Sequence, residues 1–199
     1  MLIWLATLAW LACVVYSTIP AFWLLLHSRV GHWRTRSWSP YRVLVPLWIG
    51  MWIVVGLISY PWHHLTFYCS GWAWVAAALL FAIGLWLYRA AGANFSKQQL
   101  YGLAELKMQN AEQRLVRTGI RSRVRHPVYL GHLCEMLAWT VGSGLAVCFG
   151  LTAFGVVTGS LMIRAEDAEL EQRFGDPFLE YKKSVAAVFP RFVKPRSSL

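Results

Sequence analysis

The chain has 199 residues and is more apolar than a soluble domain. Hydrophobic residues make up 57% of it and charged residues 14%, against about 45–50% and about 25% in ordinary globular proteins. A net charge of +10 would indicate nucleic acid binding in a soluble protein, but in so apolar a chain the enrichment of Lys and Arg in cytoplasmic loops explains it. We therefore expect the lipid bilayer as a partner and no nucleic acid.

The residue types that bind metals have no suitable spacing. The adjacent His63 and His64 would point in different directions on a helix or a strand, so we expect no metal there. No disulfide or zinc site is predicted for the four cysteines, which show no ligand spacing and lie mostly in apolar runs: Cys13, Cys69, Cys134 and Cys148.

Three charge-free runs in the first half predict membrane-spanning helices. They cover Leu2–Leu26, Val43–Tyr60 and Ser70–Tyr88, which are 25, 18 and 19 residues long. About 20 residues of α-helix cross the ~30 Å hydrocarbon core of a bilayer. The basic stretch that follows contains Gln98–Arg117, in which leucines alternate with charges. This segment predicts a helix on the membrane surface or in a soluble loop.

The last apolar block predicts a tight helical hairpin. Leu133–Ile163 has 31 residues with one charge, and a Gly-Ser-Gly sequence at 142–144 interrupts it. We therefore predict helices over Pro127–Val141 and Leu145–Ile163. Gly155 and Gly159 form a G-x-x-x-G pattern, which lets helices approach closely in lipid. Packing within the monomer is the default interpretation and dimerisation the alternative, so the sequence leaves the oligomeric state open.

The basic residues predict the topology. All 19 Lys and Arg residues lie in the three polar segments 27–42, 89–125 and 164–199. Five crossings with the N-terminus outside place all of them in the cytoplasm, in a bacterial inner membrane. The predicted fold is an all-α polytopic membrane protein, one domain over 1–199, with about five transmembrane helices and a cytoplasmic C-terminal helical segment.

The sequence RHPVYLG, which begins at Arg125, marks the entrance of the fourth membrane helix. His126 precedes a proline and should be extended, whereas Pro127 suits the first helical position. The free N–H groups and the dipole there favour an anionic group. Arg125 can form a bidentate pair with an acid, His126 and Tyr129 can donate hydrogen bonds, and Gly131 leaves room for a ligand or a neighbouring helix.

An acidic pair, Glu166 and Asp167, follows the fifth predicted helix. A carboxylate at this place can accept hydrogen bonds from ribose hydroxyls or an amine, or attract a sulfonium cation. The alternative is an ion pair between Arg125 and Glu166 across the mouth of the hairpin.

Glu135 is the one charge inside the last apolar block. A carboxylate in a membrane helix is costly and indicates function by default. His132 lies three residues earlier on roughly the same face. The two side chains either take a proton from an amine or thiol substrate or form a mutually satisfied His–Glu pair.

Taken together, these motifs resemble the isoprenylcysteine carboxyl methyltransferase family. RHPVYLG is preceded by LVRTG at 115–119 and followed by the acidic pair, by Phe174-Gly175 and by Pro190, in the family's order. The likeness begins near Arg89. Phospholipid N-methyltransferases of the integral-membrane type are more distant relatives. The resemblance implies a cofactor-binding catalytic half in 89–199, which follows the three N-terminal spans predicted within 1–88.

The resemblance implies S-adenosylmethionine as the cofactor and S-adenosylhomocysteine as its product. It places the cofactor contacts on Gln113, Arg114, Leu115, Val116, His126, Pro127, Val128, Tyr129, Gly131 and Glu166. Catalytic roles are predicted for Arg125 and His126, and for Glu135, which lies outside the family motif. The implied acceptor is lipophilic, an isoprenylcysteine-like carboxylate or thiol.

Two departures from the family pattern concern the acceptor. Met162 stands where the family usually has an arginine that contacts substrate, and Arg121 stands where it has a tyrosine. The identity of the acceptor therefore stays open. Phospholipid N-methylation of the phosphatidylethanolamine type is one alternative function, and a non-catalytic membrane scaffold is another.

Overall fold

A computed structural model describes residues 3–93 and 114–190. Within these ranges every regular element is helical, as predicted. The α-helices are α1 (Ile3–His27), α2 (Val30–Arg34), α3 (Tyr41–Ser59), α4 (Gly71–Gly92), α5 (Pro127–Ser143), α6 (Ala146–Phe174) and α7 (Asp176–Ser184), with 3₁₀ turns at Tyr60–Trp62 and Gly119–Ser122. Most of the predicted surface helix Gln98–Arg117 lies outside the described residues.

Four of these helices are long and apolar enough to cross a membrane. They are α1, α3 extended to Trp62, α4 and α6, which confirms the three N-terminal spans and the last one. The predicted fourth span is the shorter α5, whose 17 residues extend about 26 Å at about 1.5 Å per residue. It carries His132 and Glu135 and packs between α1 and α4. Its crossing of the bilayer, and thus the count of five, stays a prediction.

The predicted hairpin of α5 and α6 is confirmed, and its turn depends on one glycine. Gly144 has φ +64°, a conformation that L side chains rarely adopt. A Cβ at this position would also lie 2.4 Å from the carbonyl oxygen of Tyr68. A buried hydrogen bond of 2.7 Å between the hydroxyls of Thr140 and Thr152 joins the two helices. The hairpin brings the start of α5 next to the C-terminal third of α6.

Glycines also determine how closely the helices pack. At Gly155 on α6, a Cβ would come within 2.5 Å of Met136 Cε and 3.3 Å of the backbone of Ser17 on α1. Gly155 of the G-x-x-x-G pattern therefore serves packing within the monomer, as expected, whereas a Cβ at Gly159 would make only ordinary contacts with Pro20 at 3.8 Å. Where α4 and α5 cross, a Cβ at Gly131 would lie 3.2 Å from the carbonyl oxygen of Gly84. Of the two uses predicted for Gly131, the structure shows the approach of a neighbouring helix.

Candidate functional site

The RHPVYLG motif is held in place by the chain that follows α7. Val124 forms an isolated parallel bridge with Ala186. The backbone N–H of Arg125 donates to the carbonyl of Ala186, and that of His126 donates to the carbonyl of Ala187, both at 2.9 Å. The backbone of Arg125 and His126 is therefore tied to the chain after α7. The expected extended conformation of His126 is wrong, because its φ of −116° and ψ of 62° lie outside the extended region that is usual before proline.

The side chains of this motif meet the acidic pair of α6. Arg125 Nη2 donates to Asp167 Oδ2 at 2.7 Å, and His126 Nε2 lies 2.9 Å from Asp167 Oδ1. The other imidazole nitrogen, Nδ1, lies 3.2 Å from Glu166 Oε2. The imidazole is thus placed between two carboxylates, and its side chain is only 3% exposed.

The alternative interpretation, an ion pair between Arg125 and Glu166, is wrong, because Asp167 takes the place of Glu166. Adjacent residues on a helix project about 100° apart, so one acid of the pair faces the guanidinium and the other does not. Arg125 Nη1 also donates to the carbonyl oxygens of Lys182, at 3.2 Å, and Val185. Arg125 is therefore a link between α6 and the end of α7.

The ionisation of this cluster follows from its geometry. Burial would lower the pKa of His126, but the carboxylates of Glu166 and Asp167 outweigh burial and raise this pKa to about 9. Burial would likewise raise the pKa of Glu166, and the imidazolium of His126 lowers it to about 2. The pKa of Asp167 is also lowered, against the effect of burial, by its bonds to His126 and Arg125. At neutral pH the cluster contains two carboxylates and two cations.

Glu166 keeps hydrogen-bonding capacity that the cluster does not use. Its Oε2 atom is buried and lies beside the imidazolium of His126, with Nδ1 at 3.2 Å. The side chain as a whole is 19% exposed. A carboxylate of this kind fits a ligand that offers hydroxyl donors or a positive charge, as the ribose and the sulfonium of S-adenosylmethionine do.

The segment before the RHPVYLG motif, which begins with Arg114 and Leu115, packs against α7. Leu115 packs against a buried cluster formed by Phe178, Tyr181 and Val185. The Tyr181 hydroxyl donates to the carbonyl of Arg121 at 2.6 Å. Of the predicted cofactor contacts here, Leu115 and Val116 are half-buried and Arg114 is exposed, whereas Gln113 lies outside the described residues.

The predicted contacts at the start of α5 surround His126. Pro127 is buried, whereas Val128 and Tyr129 are half-buried. The rings of His126 and Tyr129 have centroids 5.9 Å apart. These residues and Glu166 therefore come together at one end of the hairpin, and their contact with a cofactor stays a prediction.

Sequence reasoning missed an ion-pair network one helical turn beyond the acidic pair. Glu169 is 4% exposed and accepts hydrogen bonds from Arg34 Nη2 at 2.8 Å and from Arg173 Nη2 at 2.7 Å. It joins the segment after α1 to the extramembrane end of α6. The only signal in the sequence was an i,i+4 spacing of Glu169 and Arg173, which is common on exposed helices.

The two residues that depart from the family pattern are both buried. Met162 is fully buried. Arg121 is 7% exposed, and its Nη1 donates to the carbonyl of Ala91 at the end of α4, at 2.7 Å. Arg121 therefore connects the loop before the motif to α4.

Glu135 and His132 do not form the mutually satisfied pair. His132 Nε2 lies 2.7 Å from the carbonyl oxygen of Tyr16 and donates to it, and its Nδ1 lies 3.5 Å from the hydroxyl of Tyr88. Glu135 Oε1 is buried and accepts no hydrogen bond from the described residues. Within residues 3–93 and 114–190, no group of three or more His, Cys, Asp or Glu side chains could hold a metal ion.

Comparisons with known proteins give three relatives. The chain is 34% identical to protein-S-isoprenylcysteine O-methyltransferase of Xenopus laevis over 85 residues, which is 40% of this chain and 28% of that protein. It is 37% identical to protein-S-isoprenylcysteine O-methyltransferase A of Arabidopsis thaliana over 81 residues, 38% of this chain and 39% of the relative. An uncharacterized protein of Haemophilus influenzae is 36% identical over 59 residues, 29% of this chain and 94% of its own length.

The matches thus span well under half of either named methyltransferase. No protein-family model matches the chain, and no solved structure matches it.

Proposed function

We propose that this chain, whose resemblance to the isoprenylcysteine carboxyl methyltransferase family is confirmed by two named relatives, is a membrane-embedded methyltransferase. Its methyl donor is S-adenosylmethionine, and its acceptor is a lipophilic molecule that enters from the bilayer. The observation that carries this proposal is the cluster of His126, Glu166 and Asp167 at the mouth of the hairpin. It joins the two motifs that carry the resemblance, and it holds the carboxylate of Glu166, whose side chain is 19% exposed, beside the imidazolium of His126.

The residues at the mouth of the hairpin, where α5 begins and α6 ends, have separate roles in holding the cofactor. Bound there, S-adenosylmethionine supplies an electrophilic methyl group on a sulfonium sulfur. The carboxylate of Glu166 accepts hydrogen bonds from the ligand and favours its positive charge. His126, held protonated between two carboxylates, keeps Glu166 ionised and orients it, and Asp167 fixes the imidazole through Nε2.

Methyl transfer needs alignment of donor and acceptor more than a strong acid or base. Holding two reactants in line contributes up to about 7–11 kcal/mol to lowering a barrier. The tether of Arg125 and His126 to the chain after α7 gives the mouth a defined shape, and Pro127, which is buried, begins α5 below it. These features serve orientation and the exclusion of water.

For the acceptor we propose an isoprenylcysteine-like carboxylate or thiol. The names of the two relatives, both O-methyltransferases, support the carboxylate. Met162 is fully buried and has no charge with which to bind a carboxylate. A second candidate is phospholipid N-methylation, which the unpaired carboxyl oxygen of Glu135 favours. A membrane scaffold without activity is the third, and failure to bind the cofactor would support it.

The proposed location of the site rests on the distribution of the Lys and Arg residues. With the N-terminus outside, the site lies on the cytoplasmic face of a bacterial inner membrane, where all the basic segments lie. Reactivity of single cysteines with a membrane-impermeant reagent tests this topology. A cysteine placed at Ser122 reacts only after the cytoplasmic face is opened, whereas the exposed Cys69 reacts from outside.

The experiment that tests the function is binding of S-adenosylhomocysteine to the protein in detergent micelles, measured by calorimetry. We expect the wild type to bind and Glu166→Ala and His126→Ala to lose at least tenfold in affinity. Glu171→Ala is the matched control, because Glu171 lies on the same helix with its side chain 43% exposed. A wild type that is folded and binds neither S-adenosylhomocysteine nor S-adenosylmethionine would refute the methyltransferase proposal.

A further inference from the structure

Glu135 is buried in the middle of α5 and lies against bare backbone. The residue is 5% exposed. On the facing helix, a Cβ added at Gly84 would come within 2.9 Å of Glu135 Oε1 and 3.1 Å of Glu135 Cγ. The absence of a side chain at Gly84 therefore makes the space that the carboxyl group fills. The contact with Gly84 thus accommodates one polar group between two apolar helices.

One oxygen of that carboxyl group, Oε1, has no hydrogen-bond partner in the described protein. Oε1 has essentially no solvent-accessible surface and accepts no hydrogen bond within residues 3–93 and 114–190. The nearest candidate on its own helix, His132, uses both ring nitrogens elsewhere, toward the carbonyl of Tyr16 and the hydroxyl of Tyr88. Glu135 is therefore not one half of a structural His–Glu pair.

A buried acceptor atom without a hydrogen-bond donor lowers the stability of the folded protein. An unsatisfied buried polar group costs about 1–3 kcal/mol, and more when it is charged. Protonation removes the charge but still leaves a carboxyl oxygen that seeks a donor. A polar residue that stays unsatisfied inside a membrane helix indicates a ligand or a proton pathway. The partner that Oε1 needs is a hydrogen-bond donor or a cation.

The position of Glu135 connects this group to the proposed site. It follows Pro127 by eight residues, about 12 Å along the axis of α5, and it lies two turns below the motif. Gly131, one turn above it, also faces α4, because a Cβ there would lie 3.3 Å from Tyr88 Cε1 and 3.2 Å from Gly84 O. Glu135, Gly131 and the Tyr88 ring thus follow one seam between α4 and α5, directed toward the mouth.

From this placement we infer that Glu135 binds the donor group of the acceptor's nucleophile, and that this group is an amine or a thiol. The inference rests on the proposed function and names the acceptor class of that same site. An ammonium or S–H group gives Oε1 the hydrogen bond it lacks, and the tyrosine ring beside the seam suits a cation. Among the acceptors proposed above, Glu135 therefore selects the thiol or the amine over the carboxylate, which offers no donor and repels Glu135. This makes Glu135 a specificity-determining residue.

Binding of three chain-matched probes tests the inference: hexadecylamine, hexadecanethiol and palmitate. Each is titrated into protein in detergent micelles at neutral pH, and binding is followed by tryptophan fluorescence. We expect Glu135→Gln to lose at least tenfold in affinity for the amine, the thiol or both, and to bind palmitate as well as or better than the wild type. Whichever of the first two probes loses affinity identifies the nucleophile. Glu135→Asp keeps the charge and should retain part of the affinity.

The control is Glu171→Gln, which removes an exposed carboxylate and should bind all three probes as the wild type does. Equal affinity of the wild type and Glu135→Gln for every probe would overturn the inference, as would tighter binding of palmitate than of the amine and the thiol by the wild type. S-adenosylhomocysteine binding measured on the same samples separates the two proposals. Its absence from every sample counts against the methyltransferase alone, whereas its retention in Glu135→Gln with unchanged probe affinities counts against the role of Glu135 alone.

Discussion

Replacing His126 with glutamine removes the cation that Glu166 and Asp167 share, and the effect depends on pH. In the folded protein the pKa of His126 is about 9, whereas an unperturbed histidine has a pKa of about 6.5. At about 1.4 kcal/mol per pKa unit, this difference corresponds to about 3 kcal/mol of folding free energy. His126 is 4% exposed, so solvent screens little of it.

The direction of the pH dependence follows from which form the folded state prefers. Because folding raises the pKa, the folded state binds the proton more tightly than the unfolded state does. The stabilisation is therefore fully present below about pH 6.5, falls as the pH rises from there to about 9, and is absent at higher pH. His126→Gln should lack this dependence.

The pH dependence of this stabilisation is measured by thermal unfolding in detergent micelles, followed by tryptophan fluorescence from pH 6 to pH 10. For a chain of this size, about 1 kcal/mol shifts the unfolding midpoint by about 2–4 °C. We expect the difference between wild type and His126→Gln to shrink by about 6–12 °C between pH 6 and pH 10. The control is His64→Gln, since His64 is exposed. A wild-type-to-variant difference that stays constant over the whole range would refute the reasoning.

Two further substitutions test the packing of the site. Asp167→Asn leaves the buried guanidinium of Arg125 without its carboxylate and should lower the free energy of unfolding by about 3–5 kcal/mol. The control Glu171→Gln breaks a surface ion pair and should lower it by about 0–1 kcal/mol. Equal losses of the two variants in chemical denaturation would contradict the pairing of Arg125 with Asp167. Gly84→Ala forces a methyl group against Glu135 Oε1 and should cost about 1–3 kcal/mol by overpacking. Its control is Gly50→Ala, which has nothing within 4 Å, and a harmless Gly84→Ala would refute the close contact.

The helices could be predicted from local sequence because their causes are local. Charge-free runs and a Gly-Ser-Gly interruption are enough to place the N-terminal spans and the hairpin. Gly155 packs against α1 and α5 because small residues allow close approach wherever they occur in lipid. The short helix α5 was predicted over Pro127–Val141, but the sequence does not show that this helix packs against both α1 and α4.

The side-chain pairings inside the site could not be predicted from local sequence. Whether Arg125 meets Glu166 or Asp167 depends on the rotation of α6, and one residue of register changes the answer. His132 satisfies its Nε2 with the backbone carbonyl of Tyr16, 116 residues away, and every residue type has such a carbonyl. Glu169 and Arg34 are 135 residues apart. Contacts of this kind follow from the assembled bundle and leave no pattern in the sequence.

The hydrogen bonds between the motif and the chain after α7 also order events during synthesis. Arg125 binds the carbonyl of Val185, 60 residues further along the chain. At about 5–20 residues per second, translation takes about 3–12 s to make that stretch. All the apolar helices precede Val185 in the chain, so the bonds that hold the motif are the last of these contacts that can form. A nascent chain that ends within α7 would therefore lack the hydrogen bonds that hold Arg125 and His126 in place.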